Sequence, residues 1–215
     1  MLEFPKSTVF GRRFPKQKFY ENLDVSAEVK RFFVEQVKLI LWANKLSPET
    51  MNIAPGQMVQ EIEVFRLMLQ GQELSDQVLA LMDRQIPYHI LFLLEQPDGS
   101  VRLHVTYKEA SQSGSNAFQL RQSYHTDWMK PEDLSLNLTA LDMDALYESI
   151  VRQIAGDAIT APESENLKEA VEQTQQREKL EKQIAQLKAK MKKEKQLGRQ
   201  MELRREIIRL EDLLQ

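Results

Sequence analysis

Residues 88–109, YHILFLLEQPDGSVRLHVTYKE, predict a β-hairpin. Two runs rich in strand-forming residues flank Asp98-Gly99, a pair that favours a two-residue hairpin turn. Such a turn would place Glu95 opposite Arg102, an attractive cross-strand pair. In that register one face would be apolar, and the other would carry His89 and His104. The apolar face would consist of Ile90, Phe92, Leu94, Leu103, Val105 and Tyr107.

The flanking segments predict helices and further strands. Helical spacing predicts one amphipathic helix from Ser26 to Leu46 and another over residues 76–85. A strand is expected over residues 61–69, and a third strand next to the hairpin would contain Leu120, Tyr124 and Trp128. A last helix would begin at Asp142 and end at Gly156. The predicted fold is α+β or α/β, with a mixed sheet of four or more strands covered by helices.

The C-terminal residues predict a helical tail. We expect a globular domain over residues 1–156, a linker over 157–163 and a coiled-coil tail over 164–215. Two runs of apolar residues follow the spacing of a coiled-coil seam, with Gly198 between them. A lone helix cannot bury such a seam, so the chain either folds back near Gly198 or pairs with another chain. The seam residues are Leu180, Ile184, Leu187, Met191, Leu203, Ile207, Leu210 and Leu214.

Composition excludes several classes of protein. The 215 residues include no Cys, which excludes disulfides, thiolate metal sites and a cysteine nucleophile. No apolar run is long enough to span a bilayer, and residues 1–6 do not resemble a signal peptide. We therefore expect a cytoplasmic protein that contacts no membrane. The sequence indicates no cofactor and no metal.

Positive charge is concentrated at both ends of the chain. Residues 1–20 contain five basic residues against one acid, with phenylalanines among them, and residues 188–209 contain nine basic residues against three acids. The net charge of the whole chain is −3, so the segments between and beyond are acidic. These basic segments predict contacts with a protein partner or with nucleic acid. The candidate contact residues are Arg12, Arg13, Lys16, Lys18, Lys192, Lys193, Lys195, Arg199, Arg204 and Arg205.

Catalytic motifs are absent from the sequence. It contains no Walker-type phosphate loop, GxGxxG, GxSxG or HExxH pattern. In the predicted register His89 and His104 are too far apart to bind one metal ion, whereas His125 could approach Lys108 or His104 on the adjacent strand. One enzymatic alternative is a divergent metal-dependent nuclease that uses acidic residues on the sheet together with a lysine. Its candidate residues are Glu61, Glu63, Glu95, Asp127 and Lys108.

Several segments resemble a bacterial family of domains of unknown function. They are residues 4–8 (FPKST), 42–48 (WANKLSP), 86–92 (IPYHILF), 124–128 (YHTDW), 151–156 (VRQIAG) and the tail pattern over 193–203. The resemblance implies an accessory role, because members of that family are encoded beside helicases and DNA methyltransferases of restriction-like, anti-phage modules. It supplies no catalytic residues.

Three functions follow as hypotheses. We expect a non-enzymatic accessory or scaffold protein of such a defence module, which binds a helicase, a methyltransferase or a second copy of itself through its basic ends and its tail. The alternatives are the metal-dependent nuclease and a DNA-binding protein.

Overall fold

The computed structural model describes residues 2–21, 25–110, 118–159 and 166–214. Within these residues the chain forms six strands and six α-helices, with three short 3₁₀ turns. The strands are β1 (Val9–Phe14), β2 (Val37–Leu46), β3 (Ile62–Leu69), β4 (His89–Glu95), β5 (Val101–Ala110) and β6 (Phe118–His125). The helices are α1 (Ala27–Gln36), α2 (Pro48–Met51), α3 (Asp76–Gln85), α4 (Met143–Ala155), α5 (Leu167–Lys193) and α6 (Leu197–Asp212).

All six strands join in one sheet whose spatial order follows the sequence, β1-β2-β3-β4-β5-β6. Neighbouring strands are antiparallel except β3 and β4, which are parallel and are connected through α3. A parallel pair needs such a crossover, because a tight turn can join only antiparallel strands. The predicted α+β fold with a mixed sheet is therefore confirmed.

Helices cover both faces of the sheet. On one face Phe33 of α1 and Met82 of α3 pack into an apolar core with Phe65 and Phe92 of the central strands. On the other face the Tyr147 ring of α4 lies 4.2 Å from the His89 ring. Strands buried on both faces are mostly apolar, and β3 and β4 are rich in apolar residues, with Glu63 and Arg66 the charged residues of β3.

The predicted helix over residues 26–46 is only half correct. Helix α1 begins as expected, with the Ser26 hydroxyl accepting from the Val29 N–H, but it ends at Gln36 and the chain continues as β2. The Lys16 ammonium donates to the carbonyls of Val34 and Val37, at 3.2 and 2.7 Å, and so satisfies groups at the helix end. A short run of apolar residues can belong to a buried strand or to a buried helix. The pattern of residues 37–46 therefore predicted a helix where the chain forms a strand.

The predicted hairpin exists, but its register is shifted by one residue. Glu95 pairs with Val101, and Leu94 pairs with Arg102. The turn has three residues because Gln96 and Ser100 close it, and Gly99 adopts a positive φ of 88°. A type I turn followed by such a residue is the common three-residue hairpin loop.

The shift moves side chains to the opposite face of the sheet, because side chains alternate along a strand. The predicted apolar face is therefore wrong: Leu103 and Val105 lie on the face opposite Phe92. His89 and His104 likewise lie on opposite faces. Glu95 forms its ion pair with Arg66 of β3 rather than with Arg102.

The backbone falls into two compact units, Met1–Gly156 and Asp157–Gln215. The predicted linker over 157–163 lies partly outside the described residues, since residues 160–165 are not among them. In the second unit α5 and α6 pack together as a helical hairpin, and the Lys188 ammonium lies 2.6 Å from the Glu211 carboxylate. Ile184 and Ile207 are the two buried residues of the seam, and its other six members are half-buried.

The turn of the helical hairpin lies slightly before the position expected from Gly198. Residues 194–196 separate α5 from α6, and Gly198 belongs to the first turn of α6. The Glu194 carboxylate accepts from the N–H groups of Lys195 and Gln196, at 2.8 and 3.0 Å. These charge-assisted bonds hold the turn and lower the pKa of Glu194.

Candidate functional site

The acidic residues of the nuclease hypothesis do not converge. Glu63 lies opposite Ile90 at the start of β4, whereas Glu95 lies at the end of the same strand. Glu61 pairs with Lys45 at 2.8 Å, and Asp127 follows the end of β6. Within the described residues no group of three or more His, Asp or Glu side chains is arranged to hold a metal ion. The arrangement that this hypothesis requires is therefore not present among these side chains.

Glu63 is a buried carboxyl group with polar neighbours on β2, Trp42 and Lys45, and it also contacts the Glu61 side chain. The Trp42 indole N–H donates to Glu63 Oε2 at 2.6 Å. Burial raises the pKa of Glu63 to about 7, although the bond from Trp42 opposes that rise. The residue is thus a structural carboxyl group that titrates near neutral pH.

Lys108 belongs to a separate, fully enclosed ion pair. Its ammonium lies 2.8 Å from Asp83 Oδ1 and donates to the Tyr88 carbonyl, also at 2.8 Å. Both side chains of the pair are fully buried. Burial lowers the pKa of Lys108 and raises the pKa of Asp83. The pair ties α3 to β5, and its enclosure leaves no room for a substrate.

The N-terminal aromatic residues are part of the globular unit. The Phe10 ring lies 4.2 Å from Trp42, and the Phe14 ring lies 4.9 Å from Phe19. These phenylalanines therefore pack on the protein and are not free to stack on bases. These aromatic residues of the N-terminal segment therefore have a structural role in the globular unit.

The basic residues of the same segment have different environments. The Lys16 ammonium donates to a backbone carbonyl at the end of α1, and burial lowers the pKa of Lys16. Arg12 lies over the Phe10 ring, and Lys18 lies over the Phe14 ring. Arg12, Arg13 and Lys18 are exposed on the edge strand and in the turn after it. Their role in binding stays a prediction.

The helical hairpin carries the denser basic surface. Of the nine basic side chains in residues 188–209, Lys188 alone takes part in a salt bridge of the described chain. The candidate contact residues of the tail are exposed, and they lie at the end of α5, in the turn and on α6: Lys192, Lys193, Lys195, Arg199, Arg204 and Arg205. The positive charge of this unit is therefore largely available to a partner.

The outer face of α6 also exposes apolar side chains. Leu197 is 73% exposed, Met201 53% and Ile208 48%. With 3.6 residues per turn, these three positions fall within about 40° of one another around the helix. We call these three residues the outer stripe. It is distinct from the seam, which faces α5.

A partly enclosed cavity of about 560 Å³ lies in the globular unit. On one side, polar side chains of β5, of β6 and of the residues after β6 line the cavity. On the other side, polar side chains come from α1, from α3 and from the segment before α3. The lining residues are Phe32, Gln36, Gln72, Glu73, Leu74, Ser75, Asp76, Leu79, Leu94, Arg102, His104, His125 and Trp128.

The sheet side of this cavity is a connected group of nitrogen-bearing side chains. His104 and His125 pair directly across β5 and β6. Arg102 donates through Nε to the Thr126 carbonyl at 2.8 Å, and its Nη2 lies 2.9 Å from His125 Nδ1. The Arg102 guanidinium also lies over the Trp128 ring, 5.2 Å from its centroid.

The sequence indicated one contact of this cavity and missed the rest. Of the two neighbours that the sequence predicts for His125, Lys108 and His104, the strand register pairs it with His104, whereas Lys108 pairs with Leu120. The place of Arg102 beside them was missed, because the predicted register paired it with Glu95. A three-residue turn through Gly99 was the signal that could have corrected the register.

No helix in the described part of the chain is long and apolar enough to cross a membrane.

Comparison with known proteins gives one match. No curated protein and no solved structure matches the chain significantly. A family profile, DUF4391, described as a domain of unknown function, matches residues 2–214 and thus covers both the globular unit and the helical hairpin. The chain therefore belongs to the DUF4391 family of domains of unknown function.

Proposed function

We propose that this chain is a non-enzymatic accessory protein of a DNA-targeting defence module, and that its helical hairpin binds a protein partner. The observation that carries the proposal is the outer stripe of α6. Apolar side chains this exposed, aligned on one helix face, are typical of an interaction surface.

Charge beside the stripe indicates the character of the partner. Arg204 and Arg205 are exposed and lie on the same side of α6 as the stripe. No described salt bridge involves either side chain. A complementary surface would be an apolar groove with acidic residues at its rim, because arginine at an interface rim favours carboxylates.

The family resemblance supports a partner from the same module. The resemblance implies genes for helicases and DNA methyltransferases nearby, and a chain whose described residues form no metal-binding cluster would act by contacting one of these enzymes. The scattered acidic residues of the globular unit favour this function over the nuclease.

The test is co-purification of the tagged full chain with co-expressed products of its neighbouring genes. We expect a helicase or methyltransferase to be retained by the natural chain and lost from the variant Met201→Ser/Ile208→Ser. Leu213→Ser is the matched control, because Leu213 is 65% exposed but lies off the stripe. Retention that survives the double substitution, or no retained neighbour at all, would contradict the proposal.

DNA binding is the second candidate, favoured by the exposed basic residues around the hairpin turn. Duplex DNA titrated into the purified chain would then bind with an affinity that falls steeply with salt, because phosphate contacts release counterions. Lys192→Gln/Lys193→Gln would reduce both the affinity and the salt dependence. Loss of DNA binding in Met201→Ser/Ile208→Ser but not in Lys192→Gln/Lys193→Gln would contradict this candidate.

A further inference from the structure

His104 is a buried polar side chain with no hydrogen-bond partner in the part of the chain that the structure describes. It is 5% exposed and lines the cavity between β5 and the start of α3. No described hydrogen bond reaches its ring nitrogens, although the Phe92 ring packs edge-on against it at 5.9 Å. Buried polar groups are nearly always paired, so an unpaired ring at a cavity wall indicates a ligand that completes it.

The protonation state of the ring restricts that ligand. Burial, together with the nearby His125 and Arg102, lowers the pKa of His104 to about 3. The ring is therefore neutral at physiological pH, with one N–H donor and one nitrogen acceptor. A neutral partner that both donates and accepts suits such a ring better than an ion does.

Arg102 and His125 make the sheet side of the cavity rich in donors. Arg102 offers only N–H donors, and the neutral His125 ring carries one N–H in either tautomer. His125 Nδ1 lies 2.9 Å from Arg102 Nη2 and 3.1 Å from the Thr126 carbonyl oxygen. The N–H groups of Arg102 that are not used for Thr126 and His125 stay available. A ligand edge with acceptors fits this side.

Hydrogen-bond acceptors line the cavity on the side of the segment before α3 and the start of α3. Glu73 and Asp76 line the cavity with carboxylates, which accept hydrogen bonds and disfavour an anionic ligand. They outnumber the single formal positive charge of Arg102. A ligand edge with donors fits here, and a ligand dominated by phosphate does not.

Apolar and aromatic side chains supply the remaining lining. Phe32, Leu79, Leu94 and Trp128 offer surfaces for the faces of a flat molecule. The volume of about 560 Å³ lies in the range of small-molecule sites. The cavity therefore favours a planar ligand with apolar faces and edges of unlike polarity.

We propose that this cavity binds a guanine base, presented as an unphosphorylated nucleoside. Guanine has two acceptors, O6 and N7, on the edge that arginine recognises, and it has N–H donors that carboxylates accept. Its acceptor edge would face Arg102, His104 and His125, and its donors would face Asp76 or Glu73. This site is independent of the partner surface on α6.

The test is calorimetric titration of the full chain with guanosine. We expect saturable binding that weakens at least tenfold in His104→Phe, which keeps the ring volume but removes both nitrogens. His89→Phe is the matched control, since His89 is another buried histidine with a pKa lowered to about 3, and it does not line the cavity. Equal binding by the natural chain and His104→Phe, or no binding of guanosine, would overturn the proposal.

A second variant and two comparison ligands complete the test. Asp76→Asn changes an exposed cavity residue and should fold normally, so it carries the test if His104→Phe does not fold. It should weaken guanosine binding, and unchanged affinity would count against the proposed donor contacts. Adenosine and glutamine are the comparison ligands, and either of them binding as tightly as guanosine would overturn the assignment to guanine.

Discussion

Asp144 joins two segments that are far apart in the sequence. Its carboxylate accepts from the backbone N–H groups of Gln57, Met58 and Val59, at 2.7, 3.0 and 2.7 Å respectively. Gly56 precedes this loop and lies so close that an added Cβ would come within 2.4 Å of Asp144 Oδ1 and 2.6 Å of the Val59 carbonyl oxygen. A single side chain thus fixes the loop to the start of α4, and the glycine makes the approach possible.

Gly56→Ala is expected to destabilise the protein. The new methyl group would displace the carboxylate or the backbone, and we expect a loss of about 2 kcal/mol in the free energy of unfolding, measured in urea. Gly71→Ala is the control, because an added Cβ there meets nothing within 4 Å. An equal effect of the two substitutions would show that Asp144 does not constrain the loop.

Glu63 makes stability depend on pH. Its pKa is about 7 in the folded protein and 4.5 for an ordinary glutamate, so the folded state binds the proton more tightly. The free energy of unfolding should therefore fall as pH rises from 4.5 to 7, by about 3 kcal/mol at most. Above pH 7 the whole cost of the buried charge is present.

Glu63→Gln removes this charge and keeps an acceptor for the Trp42 N–H. We expect the variant to be more stable than the natural chain at pH 8 by about 2 kcal/mol, and the difference to shrink at pH 4.5. Urea unfolding of both proteins at the two pH values measures it. A difference that does not change with pH would mean that Glu63 is already charged in the folded protein at pH 4.5.

Among the helices and strands, the sequence predicts correctly those whose ends are set by contacts between residues close in sequence. Helix α3 forms over residues 76–85 as expected, because the Ser75 hydroxyl accepts at its first turn and its apolar residues face the sheet. Helix α4 likewise begins after Asp142 and ends at Gly156, which has a positive φ of 50°. Caps and glycine C-termini are readable in a single sequence.

Strand β2 could not be predicted in this way. Its residues pair with β1 on one side and with β3 on the other, so its conformation depends on contacts distant in sequence. The end of α1 depends on the Lys16 side chain, which comes from about 20 residues upstream. Such tertiary effects override the local helical pattern of residues 37–46.

The seam and the outer stripe of α6 predict different effects of two neighbouring substitutions. Ile207 is 5% exposed in the helical hairpin, whereas Ile208 is 48% exposed. Ile207→Ala should cost about 2 kcal/mol of stability, and Ile208→Ala should cost less than about 0.5 kcal/mol. Thermal unfolding followed by circular dichroism at 222 nm compares them. A larger loss in Ile208→Ala would mean that the two faces are assigned the wrong way round.

For the molecule as a whole, the sequence predicted the C-terminal helical hairpin as one of two possibilities and did not predict the cavity. The seam repeats along one helix pattern, so its burial follows from spacing alone. The cavity depends on a register that differs by one residue from the expected one, and on the approach of α3 to β5. Neither feature leaves a local signature around Arg102 or His104, so the cavity could not be predicted beyond the approach of His125 to His104.

The central claim of this account is that a protein partner covers the outer stripe of α6. Hydrogen–deuterium exchange of the full chain, alone and in complex with its co-purified neighbour, tests that claim most directly. The account predicts slower exchange on binding in peptides from residues 197–212. Protection confined to peptides of residues 2–156, with exchange in 197–212 unchanged, would contradict it.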